Sequence, residues 1–305
     1  MNRIVSIKIG LLAAVAMLAT LANADQYETR VVFSGLNQPT GIVADNARTL
    51  YITQLPTPGL SGMNGGSNTV DKILLGRKSR LTNLTTGEPE PTNLALSRKG
   101  ELYWTCKSAG VILERNRRGE VGLFLGELDQ PNGIALDRWG FVYFTQIPTP
   151  GVPGTMGGSN NVAVTDGEAV EIISMGEPEP SDVAVDRHGN AYWTCKTAGV
   201  ILVRDCDGEI SLLLKDLKSP TGIALDQQRD LLYFTEVPTP GVPGSQGGEN
   251  RVSVLNLRCM QLETVDEGDP QPTDITVAPN GRVFWTCTSA GVIVEARERS
   301  HQPWD

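Results

Sequence analysis

Apolar positions in this chain recur in short alternating runs, not in long helical periods. Gly133-Ile134-Ala135-Leu136-Asp137 is followed by a turn, Arg138-Trp139-Gly140, and then by an aromatic run, Val142–Thr145. Alternation of this kind, β-branched or aromatic and bounded by Gly, Asp and Asn, predicts short strands joined by tight turns. The pattern then repeats. Pro39-Thr40-Gly41-Ile42-Val43-Ala44-Asp45 returns at Pro131 and again at Pro220, at spacings of about 90 residues. A related half, Pro91-Thr92-Asn93-Leu94-Ala95-Leu96, returns at Pro180 and Pro272. Six half-units result, beginning at Pro39, Pro91, Pro131, Pro180, Pro220 and Pro272.

Each half-unit predicts four strands. The first follows the Pro. The second is aromatic: Leu50–Thr53, Leu102–Thr105, Val142–Thr145, Ala191–Thr194, Leu232–Thr235 and Val283–Thr286. The third is aliphatic, as in Gly110–Leu113 or Gly199–Val203, and the fourth follows a second turn, as in Gly208–Leu214. Four strands in a repeat of roughly 40–50 residues is the size of a β-propeller blade. The last half-unit lacks its fourth strand, and Glu28–Phe33, ahead of Gly35-Leu36-Asn37-Gln38-Pro39, has the pattern of one. The expectation is an all-β, six-bladed β-propeller of four-stranded antiparallel blades over residues 25–298. Its ring is closed by the N-terminal strand completing blade six, which removes the edges an open sheet would expose. Residues 299–305 form a tail.

Ahead of the repeats, residues 1–24 read as a cleaved signal peptide. Arg3 and Lys8 precede an apolar stretch, Ile9–Leu21, and Ala22-Asn23-Ala24 is a small-x-small cleavage pattern. About 13 apolar residues are too few to span a bilayer. A secreted or periplasmic monomer with no membrane insertion is expected. Loss of the leader takes the net charge from −9 to −11, since it carries two cations and no anions. With no basic cluster beyond Arg115-Asn116-Arg117-Arg118, nucleic acid is not an expected partner.

The repeated segments carry a resemblance. Pro-x-Gly-Ile-Ala-Leu-Asp followed by an aromatic strand resembles NHL-repeat propellers, and Leu102-Tyr103-Trp104-Thr105-Cys106 resembles the YWTD strand of receptor propellers. Pro131-Asn132-Gly133 and its copies are similar to the gluconolactonase (senescence-marker-like) and streptogramin-lyase propellers. The likeness spans nearly the whole mature chain and implies the fold. Function differs across these families, which bind, hydrolyse or eliminate on one scaffold. The gluconolactonase resemblance implies a divalent cation, such as Ca²⁺, at the channel mouth. The lyase resemblance implies a His base, but the chain has only two His, His188 and His301. That count also excludes the His-liganded zinc of amidating-lyase propellers.

Candidate chemistry falls into three groups. After the motif Pro stand Thr40, Thr92, Asn132, Ser181, Thr221 and Thr273, a weak hard-cation set because Ca²⁺ favours charged oxygens. The next position alternates, Gly in odd blades and Asn93, Asp182 and Asp274 in even ones. These three either form a channel ring able to hold a metal or only cap turns. At the end of the second strand, Gln54, Gln146 and Glu236 alternate with Cys106, Cys195 and Cys287, followed in blades 2 and 4 by Lys107 and Lys196. The cysteines are either a thiol ring for a soft metal or nucleophilic chemistry, or small residues buried between blades. Cys206 and Cys259, in equivalent turns, could be joined in an exported protein. The Thr preceding each of these positions occurs in all six blades and is expected to bond between blades. Asn83-Leu84-Thr85 is a glycosylation sequon in a eukaryotic host.

Odd blades also carry a long insertion after the second strand, such as Gln146-Ile147-Pro148-Thr149-Pro150-Gly151 leading to Gly157-Gly158-Ser159-Asn160. These loops share a face with the acidic loops Gly87–Pro91, Gly176–Pro180 and Gly268–Pro272, and rigid loops on a scaffold are a common place for binding. No complete catalytic constellation is present. The leading expectation is a secreted propeller binding a small molecule, glycan or protein on this face, with Gln54, Gln146, Glu236, Asn93, Asp182, Asp274, Lys107, Lys196 and Asn132 as candidate contacts. The alternative is a metal-assisted lactonase, hydrolase or lyase with its site at the channel mouth, using Asp182, Asp274 and Asn93, with Glu236 as a further candidate.

Overall fold

A computed structural model of the protein describes residues 26–56, 66–148, 159–238 and 248–299. The expected leader, His301 and most of each Pro/Gly insertion lie outside the described residues. Six antiparallel four-stranded sheets form a propeller, and no described residue is helical. Blade 1 comprises Pro39–Asn46, Thr49–Gln54, Thr69–Leu74 and Arg80–Thr86; blade 2 comprises Pro91–Leu96, Leu102–Cys106, Val111–Arg115 and Val121–Leu125. Blade 3 comprises Pro131–Leu136, Val142–Gln146, Asn161–Thr165 and Val170–Met175; blade 4 comprises Pro180–Val185, Ala191–Cys195, Val200–Arg204 and Ile210–Leu214. Blade 5 comprises Pro220–Asp226, Leu231–Glu236, Arg251–Asn256 and Gln261–Glu267. Blade 6 comprises Pro272–Val277, Val283–Cys287 and Val292–Glu298, and Tyr27–Ser34 supplies its fourth strand. That strand pairs Tyr27 with Glu298 and Ser34 with Val292, so the two ends of the chain close the ring.

The third strands start one residue later than the sequence pattern suggests. Gly110 and Gly199 sit at φ +64 and belong to the preceding turn. Second strands are buried on both faces, as along Leu102–Cys106, because each blade stacks against two neighbours. This accounts for their continuous apolar reading. Fourth strands form the rim and alternate less cleanly; Leu123 is 66% exposed and Ile172 47%. Every fourth strand carries a bulge with one additional apolar residue: Leu84, Phe124, Ile173, Leu213, Val265 and Val32. The bulge bends the rim strand and sends this residue toward the interior. Phe124, for example, meets Tyr103 edge-on at 5.0 Å between ring centres.

Candidate functional site

First strands line the axis, and their ladder to the second strand is interrupted at the same point in all six blades. Pairing at the motif Pro skips to the Ile, Leu or Val three residues on. The intervening amide must find another acceptor, and it finds the repeated threonine. Gly41, Asn93, Gly133, Asp182, Gly222 and Asp274 donate their N–H groups to the Oγ1 of Thr53, Thr105, Thr145, Thr194, Thr235 and Thr286 at 2.7 to 3.2 Å. Each of those hydroxyls donates in turn to a carbonyl of the next blade at 2.6 to 3.5 Å, Thr286 to Thr40 across the closing seam. The six threonines are fully buried and form the expected belt between blades.

The alternation of Gly with Asn or Asp at the axis has a steric cause. A Cβ on Gly133 would lie 2.5 Å from the Asp182 Cα, and one on Gly222 2.7 Å from the Asp274 Cα. The odd strands thus pass directly against the even ones, and only one of each pair can carry a side chain. Those side chains converge. Asp182 accepts Val183 N–H at Oδ1 (2.8 Å) and Ile223 N–H at Oδ2 (2.9 Å). Asp274 accepts Ile275 N–H at Oδ1 (2.8 Å) and Ile42 N–H at Oδ2 (2.7 Å). Asn93 breaks the threefold pattern, donating Nδ2–H to Asp182 Oδ1 at 2.9 Å while its Oδ1 accepts Leu94 N–H at 2.6 Å. Burial, and for Asp182 the neighbouring Asp274 charge, push both above the usual carboxylate range.

This ring floors a cavity of about 180 Å³ along the axis, lined by the apolar parts of the first strands down to Leu96, Leu136, Leu225 and Gln227. The donor set does not fit a hard divalent cation. Every carboxylate oxygen of the ring accepts a backbone amide, and Asn93 presents an N–H toward Asp182. Ca²⁺ would need those lone pairs and at least one full charge. Among the described residues, no three His, Cys, Asp or Glu are grouped so as to hold a metal ion.

At the end of the second strand, odd and even blades anchor the incoming loop in reciprocal ways. In odd blades the strand reaches back: Gln54, Gln146 and Glu236 accept the N–H of Asn37, Asp129 and Lys218 at 2.6, 2.7 and 2.6 Å. Gln54 Nε2 donates to Asp71 at 2.7 Å and Gln146 Nε2 to Asn161 at 2.9 Å; all three side chains are buried. Burial raises Glu236 above the usual range against the opposing hydrogen bond from Lys218 N–H. In even blades the loop reaches in. Glu88, Glu177 and Asp269 accept the Sγ–H of Cys106, Cys195 and Cys287 at 3.7, 3.3 and 3.5 Å. Glu88 and Asp269 also accept Trp104 and Trp285 Nε1–H at 3.0 and 2.6 Å. These acids are visible in the sequence as Glu-Pro and Asp-Pro pairs, but their inward role is not.

The three cysteines are accordingly fully buried, and burial together with the adjacent carboxylate pushes each thiol up. Thiolate chemistry or soft-metal ligation needs the opposite environment, so these cysteines are small core donors. Cys206 and Cys259 are exposed and free. His188 sits in the exposed turn of blade 4, accepting Arg187 Nε–H at 3.0 Å, on the face opposite the loops that enter the first strands.

On the loop-entry face the residue before each motif Pro is left-handed: Gln38, Glu90, Gln130, Glu179, Ser219 and Gln271, at φ 50 to 58. Such a conformation persists only where its surroundings impose it. Here the carbonyl of each accepts the N–H of the residue ending the second strand's hairpin: Leu55, Lys107, Ile147, Lys196, Val237 and Thr288, at 2.9 to 3.1 Å. Lys107 and Lys196 are half-buried beside Glu90 and Glu179, and Lys196 Nζ lies 3.6 Å from Glu179. Asn132 is half-buried and donates to Ser181 O at 2.6 Å. Asn68, Asn160 and Asn250, which end the three insertions, are buried and donate to the backbone of the acidic loops, at Glu88, Glu177 and Asp269.

No family model matches the sequence, and no curated protein is detectably similar to it in sequence. Solved structures do match. A gluconolactonase from Xanthomonas campestris aligns with a TM-score of 0.70 at 15% identity over 89% of this chain and 90% of that one. A streptogramin B lyase gives 0.61 at 14% identity over 91% and 100%. Virginiamycin B lyase from Staphylococcus aureus gives 0.58 at 17% identity over 90% and 88%. The chain thus has the propeller fold shared by gluconolactonase-like and streptogramin-lyase-like proteins; at these identities the likeness defines architecture.

Proposed function

We propose that the protein is an exported binding propeller whose ligand rests on the face where the first strands begin. The observation that carries this is the set of six left-handed turns, each locked by the same backbone hydrogen bond. They make a rigid platform from which the three Pro/Gly insertions depart. Gln38, Gln130, Gln271, Glu90 and Glu179 stand around it with Lys107 and Lys196, a mixed ring of amides, carboxylates and ammonium groups. Such a ring offers both donors and acceptors to a hydroxyl-rich ligand, a glycan or a polar small molecule. Gln54, Gln146, Glu236, Asp182 and Asp274 support the platform from beneath.

Calorimetric titration of the mature protein with a panel of soluble mono- and oligosaccharides tests this. Binding weakened by about a hundredfold in Lys107→Ala plus Lys196→Ala is expected, the loss of two charged hydrogen bonds. A saccharide bound equally by that variant would overturn the reading. The fold likeness to a gluconolactonase supports the alternative, a metal-assisted lactonase. Lactone hydrolysis by the purified protein, abolished by a chelator and restored by a divalent cation, would establish that alternative instead. N-terminal sequencing of protein recovered from outside the cytoplasm is expected to begin at Asp25.

A further inference from the structure

The seam that closes the ring carries a second feature, on the other side of the molecule from the loop-entry turns. Beside the N-terminal strand, a groove of about 580 Å³ opens between Val31 and Val32 on one side and the turn Leu75-Gly76-Arg77 on the other. Four arginines line it, Arg30, Arg48, Arg77 and Arg282, with Ser79, and among the described residues no acidic side chain lines it. In a chain of net charge −9 this concentration of guanidinium groups is against the average.

Two of the four are fixed from below. Glu295 is fully buried and accepts Arg30 Nε–H and Nη2–H at 3.0 and 2.9 Å, an N–H of Arg282, and Arg297 Nε–H at 3.2 Å. Arg282 Nη1 also donates to Ala47 O at 2.7 Å. Burial would raise the Glu295 carboxyl, but its guanidinium partners hold it below the usual range, so it stays ionised and keeps Arg30 and Arg282 in place. Arg48 and Arg77 are exposed and have no side-chain partner among the described residues. Asp45, on the same hairpin as Arg48, engages Asn46. The groove therefore has a preorganised pair, an unengaged pair, and an apolar wall formed by the exposed Val31, with the half-buried Val32 and Leu75 behind it against the core. Val32 is the bulge residue of its strand.

We propose that this groove binds a phosphorylated ligand, the phosphate held between Arg48 and Arg77 with Arg30 and Arg282 flanking it, and an apolar portion lying on Val31, Val32 and Leu75. Planar guanidinium forks match the oxygens of a phosphate two at a time, and a dianion gains from several such groups at once. The site is independent of the loop-entry face, so failure of either reading leaves the other standing.

Phenyl phosphate, a dianion with an apolar body, is the probe. Titrated into the mature protein at low salt, it is expected to bind saturably and to weaken as salt is raised. Arg48→Ala and Arg77→Ala are each expected to weaken it by about tenfold and the double variant to abolish it. Arg118→Ala, at an exposed arginine in a turn of blade 2 away from the groove, serves as the control and is expected to bind as the parent does. Both arginines are exposed and unengaged, so the melting temperature should not move. Two arms identify the source of the phosphate. Co-sedimentation with phosphatidic acid vesicles, lost in the double variant and competed by phenyl phosphate, would point to a lipid headgroup. Phenyl phosphate binding without vesicle binding would point to a soluble ester. Undiminished binding by the double variant, or benzoate binding as tightly as phenyl phosphate, would overturn the proposal.

Discussion

Odd and even blades share one backbone plan but solve two local problems in opposite ways. At the axis, odd strands give up their side chain and even strands supply one; Gly133 lies under Asp182, and Gly222 under Asp274. At the end of the second strand, odd blades send Gln54, Gln146 or Glu236 back to the incoming loop, whereas even blades receive Glu88, Glu177 or Asp269 from it onto a cysteine. The lesson is that a twofold alternation inside a sixfold ring doubles the packing solutions available. Six identical residues at the axis would leave it either crowded or empty. Three large and three absent side chains share it, and the three large ones bond to the amides the ladder leaves open, with Asn93 also bonded to Asp182.

The sharpest way to break this comparison is to give an odd blade an even blade's side chain. Gly133→Ala places a methyl group 2.5 Å from the Asp182 Cα and 2.9 Å from the Ser181 carbonyl, both backbone, so relief requires moving a strand. A loss of roughly 3 kcal/mol or more is expected in urea unfolding. Asn93→Ala, which removes a side chain from an even blade, should cost less, about 1–2 kcal/mol, because only hydrogen bonds are lost. Equal losses for the two would remove the steric account of the alternation.

The next effect is on pH dependence. Asp182 and Asp274 have folded values raised above those of the unfolded chain. Their contribution to stability is full below the unfolded carboxylate value of about 4 and is lost as pH rises through the raised folded value. The melting temperature should therefore rise on acidification from about pH 8 toward pH 5. Asp182→Asn removes one of the two titrating groups and should flatten that slope. A smaller slope should survive, since burial and the neighbouring Asp269 push Asp266 to about 7 in the same direction. An unchanged slope in the variant would show that Asp182 does not titrate in this window.

The smallest effect leaves stability untouched. Of the five cysteines, Cys206 and Cys259 are exposed while Cys106, Cys195 and Cys287 are buried. A thiol reagent should label two sites in the native protein and all five in denaturant. Native labelling of Cys106 would mean that the even-blade anchors open in solution.

Much of this was readable from residue order. The Pro-x-Gly and Pro-x-Asx motifs counted the blades, and Glu28–Phe33 before Gly35 showed which strand closes the ring, because each repeat must present the same face to its neighbours. The threonine belt was readable for the same reason: a residue present in every copy serves a need every blade has. The fate of the candidate site residues was not. Asn93, Asp182 and Asp274 read equally well as metal ligands or as caps, and Gln146 equally well as a contact or an anchor. Residue type alone does not say where the lone pairs point.

The sequence by itself therefore determined the number of blades, the strand content and the ring closure, since these follow from periodicity and turn chemistry, which are local. Only the tertiary structure decided that the axial carboxyls seal the ring, that the thiols donate to buried acids, and that Arg30, Arg48, Arg77 and Arg282 meet at the seam. Those residues lie far apart in the chain, and their meeting depends on how the ring closes. Closure is also what leaves the axial oxygens filled and the seam arginines facing a groove.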